Sequence, residues 1–240
     1  MHCSKCDPSI PENYCTICGQ PQTLKRIDAG YLLHEINHVL HLERGFFYTV
    51  RELLLRPGVN VKRFLHKERS RVVKPILFLL ITSIIYSIVV SFFHINVLTE
   101  TQQTDIQKMK VTSAMLRWIQ TNVGYANLII AIVVSFWIKL FFRKSQYNIF
   151  EIQILLCFTF GMTMLFYAVG AFIKGMTNWS SPQLENLLGI AFSTWAIGNF
   201  FYEKGKIAAY IKAFFAYTLG MLTFITLVTI LGISIDLLIA

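Results

Sequence analysis

From Pro75 onward the chain is a succession of apolar runs, each about as long as a bilayer is thick. A helix needs about 20 residues to cross the hydrocarbon core. No water is available there to satisfy backbone N–H and C=O groups, so runs of this kind are confined to helix. Five are predicted: Pro75 to Ile95, Val123 to Phe142, Ile152 to Ile173, Leu184 to Tyr202 and Ile207 to Ile235. The fourth is the weakest, because Asn186 and Asn199 flank a shorter apolar stretch. The expected fold class is an all-α integral membrane protein with about five transmembrane helices.

Charge is distributed to match. Residues 1–74 hold 12 of the 22 Lys and Arg and 7 of the 13 Asp and Glu. The simplest partition is a small polar head ahead of a long apolar body. The opening residues are cysteine-rich rather than basic and then apolar, so no secretory signal is expected. Lys139, Arg143 and Lys144 sit at the turn between the second and third runs, and Lys204, Lys206 and Lys212 between the fourth and fifth. The opposite side has Lys108, Lys110, Arg117 and Lys174. Eighteen of the 22 basic residues thus fall on the head's side, which makes that side cytoplasmic and puts the C-terminus outside. The formal net charge of +9 reads as an inner-face bias towards anionic lipid, not as a nucleic-acid signal.

Four of the five cysteines form Cys3-x2-Cys6, then eight residues, then Cys15-x2-Cys18 followed by Gly19. Each Cys-x-x-Cys turn aims two thiolates at one ion, and two turns complete a tetrahedral S4 site. Structural zinc is the expected metal, in a ribbon spanning 1–24; iron is the chemical rival. Disulfides are the other use of such a pattern, and a reducing cytoplasm disfavours them. A head this short has little core of its own, so metal is what folds it. Cys157 lies inside the third run and reads as a packing residue.

Between head and membrane, residues 25–74 read as an amphipathic helical collar. Asp28 is placed to cap a helix over Ala29 to Arg44, and Gly45 to end it. A second helix presents Phe46, Phe47, Val50, Leu53 and Leu54 on one face, and Pro57-Gly58 breaks it. A third carries Val61, Phe64 and Leu65 among Lys62, Arg63, Lys67 and Arg69. Such helices can lie in the interface with basic side chains at anionic headgroups, or pack on the membrane helices or on one another, and the two readings are compatible. The spans themselves, 75–240, hold almost no ionisable residue at their centres, which argues against a proton-coupled pump. Gly161, Gly170, Gly189, Gly198, Gly220 and Gly232 are spaced for close helix packing. The loop from Asn96 to Asn122 ends in an interfacial helix feeding the second span.

Taken together, the paired Cys-x-x-Cys turns with Gly19-Gln20, Glu35, Gly45-Phe46-Phe47-x-Thr49, Arg56-Pro57-Gly58, Phe64-Leu65, Arg69 and Pro75 resemble the domain of unknown function 3667 family. The resemblance covers about residues 1 to 80. It departs at Asp7, where many relatives have glycine. It implies a bacterial, mostly Bacteroidota, multi-span inner-membrane protein with a zinc-ribbon head, and it brings no activity with it.

One motif suggests chemistry. His34-Glu35-Ile36-Asn37-His38 matches the H-E-x-x-H pattern of zinc proteases, and His41 continues the same helical line. No third ligand stands at a zincin spacing, so a solvated polar face, or one touching lipid phosphates, is the stronger reading. No nucleotide-binding loop and no nucleophile elbow is present. The expected function is a non-enzymatic inner-membrane protein whose cytoplasmic ribbon is an interaction or scaffold module, with a possible protein partner at the ribbon. The alternatives are a transporter or lipid-handling protein and, behind that, a metalloprotease using His34, Glu35 and His38.

Overall fold

The computed structural model describes residues 15, 17, 18, 45–95, 110–177, 182–202 and 207–239. The expected helix over 29–44 and the His34 to His41 line lie outside them, as do Cys3 and Cys6. Among the described residues the regular structure is helical: α1 Phe46–Leu55, α2 Pro57–His66, α3 Pro75–Phe92, α4 Lys110–Thr121, α5 Val123–Phe141, α6 Ile149–Thr177, α7 Pro182–Phe201 and α8 Ala208–Ile239.

The body helices start and stop close to the predicted runs. α6 is the axis of the bundle: α3 packs along it most extensively, with α5 and α7 beside it. Its face from Ile152 to Met164 is almost wholly buried. α8 lies on the periphery against α4, α5 and α7 and leaves most of its apolar surface uncovered. An uncovered apolar helix at the rim is stable only in an apolar surrounding. The six spaced glycines do face neighbouring helices. A methyl group on Gly161 would lie 2.5 Å from the Phe78 ring, and one on Gly220 would lie 2.9 Å from Val134 Cα.

Four helices, not five, are long and apolar enough to cross a membrane: α3, α5, α6 and α8. The fourth expected span, α7, is a 20-residue helix in the expected place. Gln183, Glu185, Asn186 and Asn199 dilute its hydropathy. It nonetheless runs along the bundle from one end of α6 to the other. It begins with Glu185 against Gly170 near the far end of α6. It ends with Phe200 against Tyr147, just before α6 begins, at 4.4 Å between ring centroids. Twenty residues of helix extend about 30 Å, close to the thickness of a hydrocarbon core.

The polar ends are tied down locally. Asn148 and Glu151 form a reciprocal box at the start of α6. Asn148 Oδ1 accepts from Glu151 N–H at 2.8 Å, and Glu151 Oε2 accepts from Asn148 N–H at 2.7 Å. At the opposite side, Asp236 near the end of α8 accepts from the N–H groups of Val111 and Thr112 at 2.8 and 3.0 Å, and from Thr112 Oγ1 at 2.8 Å. It caps α4 from 124 residues away in sequence. Asp236 stands about 42 Å along α8 from Ala208.

Candidate basic groove at the collar face

The collar is built into the bundle. α1 opens at Gly45, whose φ of +136° suits glycine. Thr49 Oγ1 donates to Gly45 O at 2.9 Å and accepts from Val73 N–H at 3.0 Å, so the start of α1 and the residue pair before α3 are fastened together. Arg71 lies over the Tyr48 ring at 5.5 Å. Arg56 ends α1, and Pro57 opens α2 at a position where its missing N–H costs nothing. Asn60 Nδ2 donates to Glu52 O at 2.8 Å and Arg56 O at 2.9 Å, closing the corner between the two helices.

Gly58 then meets α7. A methyl group there would overlap Phe200 N and lie 2.5 Å from Asn199 C. The helices approach backbone to backbone, and only glycine permits it. Phe64 reaches the Phe158 ring of α6 at 5.6 Å, Phe158 reaches Phe78 of α3 at 5.9 Å, and Phe78 reaches Phe46 of α1 at 5.7 Å. Leu53, Val61, Phe64 and Leu65 belong to the same hydrophobic core as the membrane helices. Of the two readings of the collar, packing on the bundle is therefore realised. One expectation needs correcting. Phe47 and Leu54 do not share the buried face of Leu53: they are 87% and 46% exposed. The core takes Phe46, Val50 and Leu53 instead: α1 packs on α2 and α6, and Phe46 reaches the Phe78 ring of α3.

On this same side, a groove of about 1000 Å³ opens between α2, the α5–α6 turn, the end of α7 and the start of α8. Lys62, Arg143, Lys144 and Lys212 line it, and no Asp or Glu is among its described lining residues. Its floor is aromatic. Phe142 and Phe201 stack at 4.1 Å, and Lys62 Nζ lies 5.7 Å from the centre of the Phe200 ring. Lys139 Nζ donates to Tyr147 O at 2.7 Å and so pins the turn from below. Burial pushes the Tyr147 phenol above its ordinary range, against a hydrogen bond from Gln146 and with help from the Glu151 charge. Tyr147 is therefore a neutral hydroxyl at physiological pH, and the groove keeps its positive charge.

Arg143, Lys144 and Lys212 entered the sequence reading only as markers of orientation, and Lys62 as a basic residue of the collar. The signal that they form one site was present: both short turns fall on the head's side, so their basic residues must share a face. Their convergence with Lys62 depends on α2 packing against α7, which no local pattern announces. The predicted metal ligands divide. Cys15 is buried with Cys18 packed against it, and residues 17 and 18 form a turn. Cys3 and Cys6, the other half, lie outside the described residues.

No curated protein and no solved structure matches the chain. Residues 43–87 match the family described as protein of unknown function (DUF3667), the segment that holds Gly45, Thr49, Arg56-Pro57-Gly58, Phe64 and the first turns of α3. Over that segment the chain is similar to the DUF3667 family.

Proposed function

We propose that the chain is a non-enzymatic, multi-pass protein of the bacterial inner membrane that presents a cytoplasmic zinc ribbon as an interaction or scaffold module. In this reading Cys3, Cys6, Cys15 and Cys18 hold one structural zinc, and the zinc supplies the folding energy that so short a head lacks. The basic collar rests against anionic headgroups on the cytoplasmic side, and the C-terminus is outside. The observation that carries the reading is the fusion of α1 and α2 with the bundle through Gly58, Phe64 and Thr49. A platform fixed in this way gives a head a constant position relative to the membrane, which is what a scaffold requires.

The test combines metal and partner. The purified full chain is expected to carry about one zinc, lost when Cys3 and Cys15 are replaced by serine. Cross-linking in mild detergent should retain at least one protein with the intact head that the Cys15→Ser chain does not retain. A chain without metal, or equal retention by both forms, contradicts the proposal.

The lipid-handling alternative has one observation in its favour. An apolar cavity of about 210 Å³ lies between α6 and α7 near the far end, lined by Phe166, Val169, Ile173, Leu184 and Leu188, with Glu185 at its margin. It is large enough for part of an acyl chain rather than a whole lipid.

A further inference from the structure

Three elements fastened by separate interactions deliver cations to the groove at the collar face. Arg143 and Lys144 ride on the turn that Lys139 and the Asn148–Glu151 box hold in place. Lys212 stands one turn into α8, and Lys62 is carried by α2, which Gly58 locks against α7. The four line one groove, and a concave surface lined by one sign of charge draws counter-ions to it. Guanidinium and ammonium groups side by side are the chemistry that recognises phosphate oxygens.

The place of the groove favours one source of phosphate. It lies where α5 and α7 end and α8 begins, the level of headgroups if these helices cross a bilayer. From its edge an exposed apolar stripe of Ile211, Phe215 and Leu222 runs along α8, four and then seven residues apart and so on one side of the helix. A soluble phosphate has no use for that stripe, whereas acyl chains do. We infer that the groove is a discrete site for the headgroup phosphate of one anionic phospholipid, whose chains lie along the Ile211, Phe215 and Leu222 stripe. The inference rests on the reading of the collar as a lipid-facing basic surface and narrows it from a diffuse attraction to a defined site.

The test uses the full chain in mild detergent, titrated with phosphatidylglycerol or with phosphatidylcholine of the same acyl chains, and read by native mass spectrometry. One phosphatidylglycerol should be retained in preference. Each basic side chain near a charged surface contributes about fivefold to such binding. Arg143→Gln with Lys212→Gln should therefore weaken retention by about thirtyfold. Arg51→Gln with Arg56→Gln, on the collar but not among the residues that line the groove, should leave it within about twofold. All four side chains are exposed, so neither pair disturbs the core. Equal weakening by both pairs overturns the discrete site while leaving a basic collar that attracts anionic lipid. No preference between the two lipids overturns both. Displacement of the lipid by millimolar inorganic phosphate assigns the groove to a soluble phosphate and overturns the lipid assignment.

Discussion

Single residues decide how the collar meets the membrane helices, and Gly58 is the sharpest case. Its Cα faces the backbone of Asn199 and Phe200, so Gly58→Ala forces α2 away from α7 and is expected to cost about 1–3 kcal/mol. Gly124 offers the contrast. A methyl there meets the Leu80 Cδ2 atom at 3.2 Å, the movable end of a side chain. Gly124→Ala should be neutral or stabilising by up to about 1 kcal/mol, from the better helix propensity of alanine. Thermal unfolding of the two variants in the same detergent checks the opposite signs; a Gly58→Ala chain as stable as the parent contradicts the backbone contact. Arg56-Pro57-Gly58 was legible as a break between helices, since proline and glycine punctuate any helix. That Gly58 is also an inter-helix contact was not legible, because the residues it touches are about 140 positions away. Phe47 and Leu54 show the same limit from the other side: periodicity offered a wide apolar face, and the contact with α3 and α6 used only the stripe of Phe46, Val50 and Leu53.

At the scale of elements, the apolar runs located every body helix, because membrane-length hydrophobicity is a property of the segment alone. α7 departs from that rule in an instructive way. Its polar residues lower its hydropathy below that of the other four, yet several of them are placed where the bundle receives them. Asn199 lies against α2, and Glu185 lies against Gly170 near Lys174. The half of α7 after Leu188 is largely covered by protein and tolerates such a residue where a lipid-facing one does not, whereas Gln183 and Asn186 stay exposed in its first half. The interfacial helix ahead of the second span was read from its pattern and is α4. Its anchor was not, since the Asp236 carboxylate reaches it from the far end of α8. Asp236→Ala should fray the first turn of α4: amide hydrogen exchange at Val111 and Thr112 should accelerate, with the α6 amides unaffected. Unaltered exchange at both positions would show that the cap is dispensable.

The whole molecule is organised by two ends. One gathers the collar, the short basic turns and the groove; the other gathers the ends of α3, α6 and α8 with α4. The head–body division was legible from charge and hydropathy. The merging of the collar into the body was one of two readings there, and composition alone did not choose it, since α1 and α2 become part of the core only through contacts with distant α6 and α7. If α7 crosses with the other four, the number of crossings is odd, and the collar and the C-terminus face opposite compartments. The direct measurement is labelling of a single cysteine appended after Ala240, using a membrane-impermeant maleimide on intact cells stripped of their outer layers. The proposed arrangement predicts labelling of that cysteine before lysis, with the head cysteines protected until the membrane is opened. Labelling of the appended cysteine only after lysis would put both ends in the cytoplasm, reduce the crossings to four and contradict the arrangement.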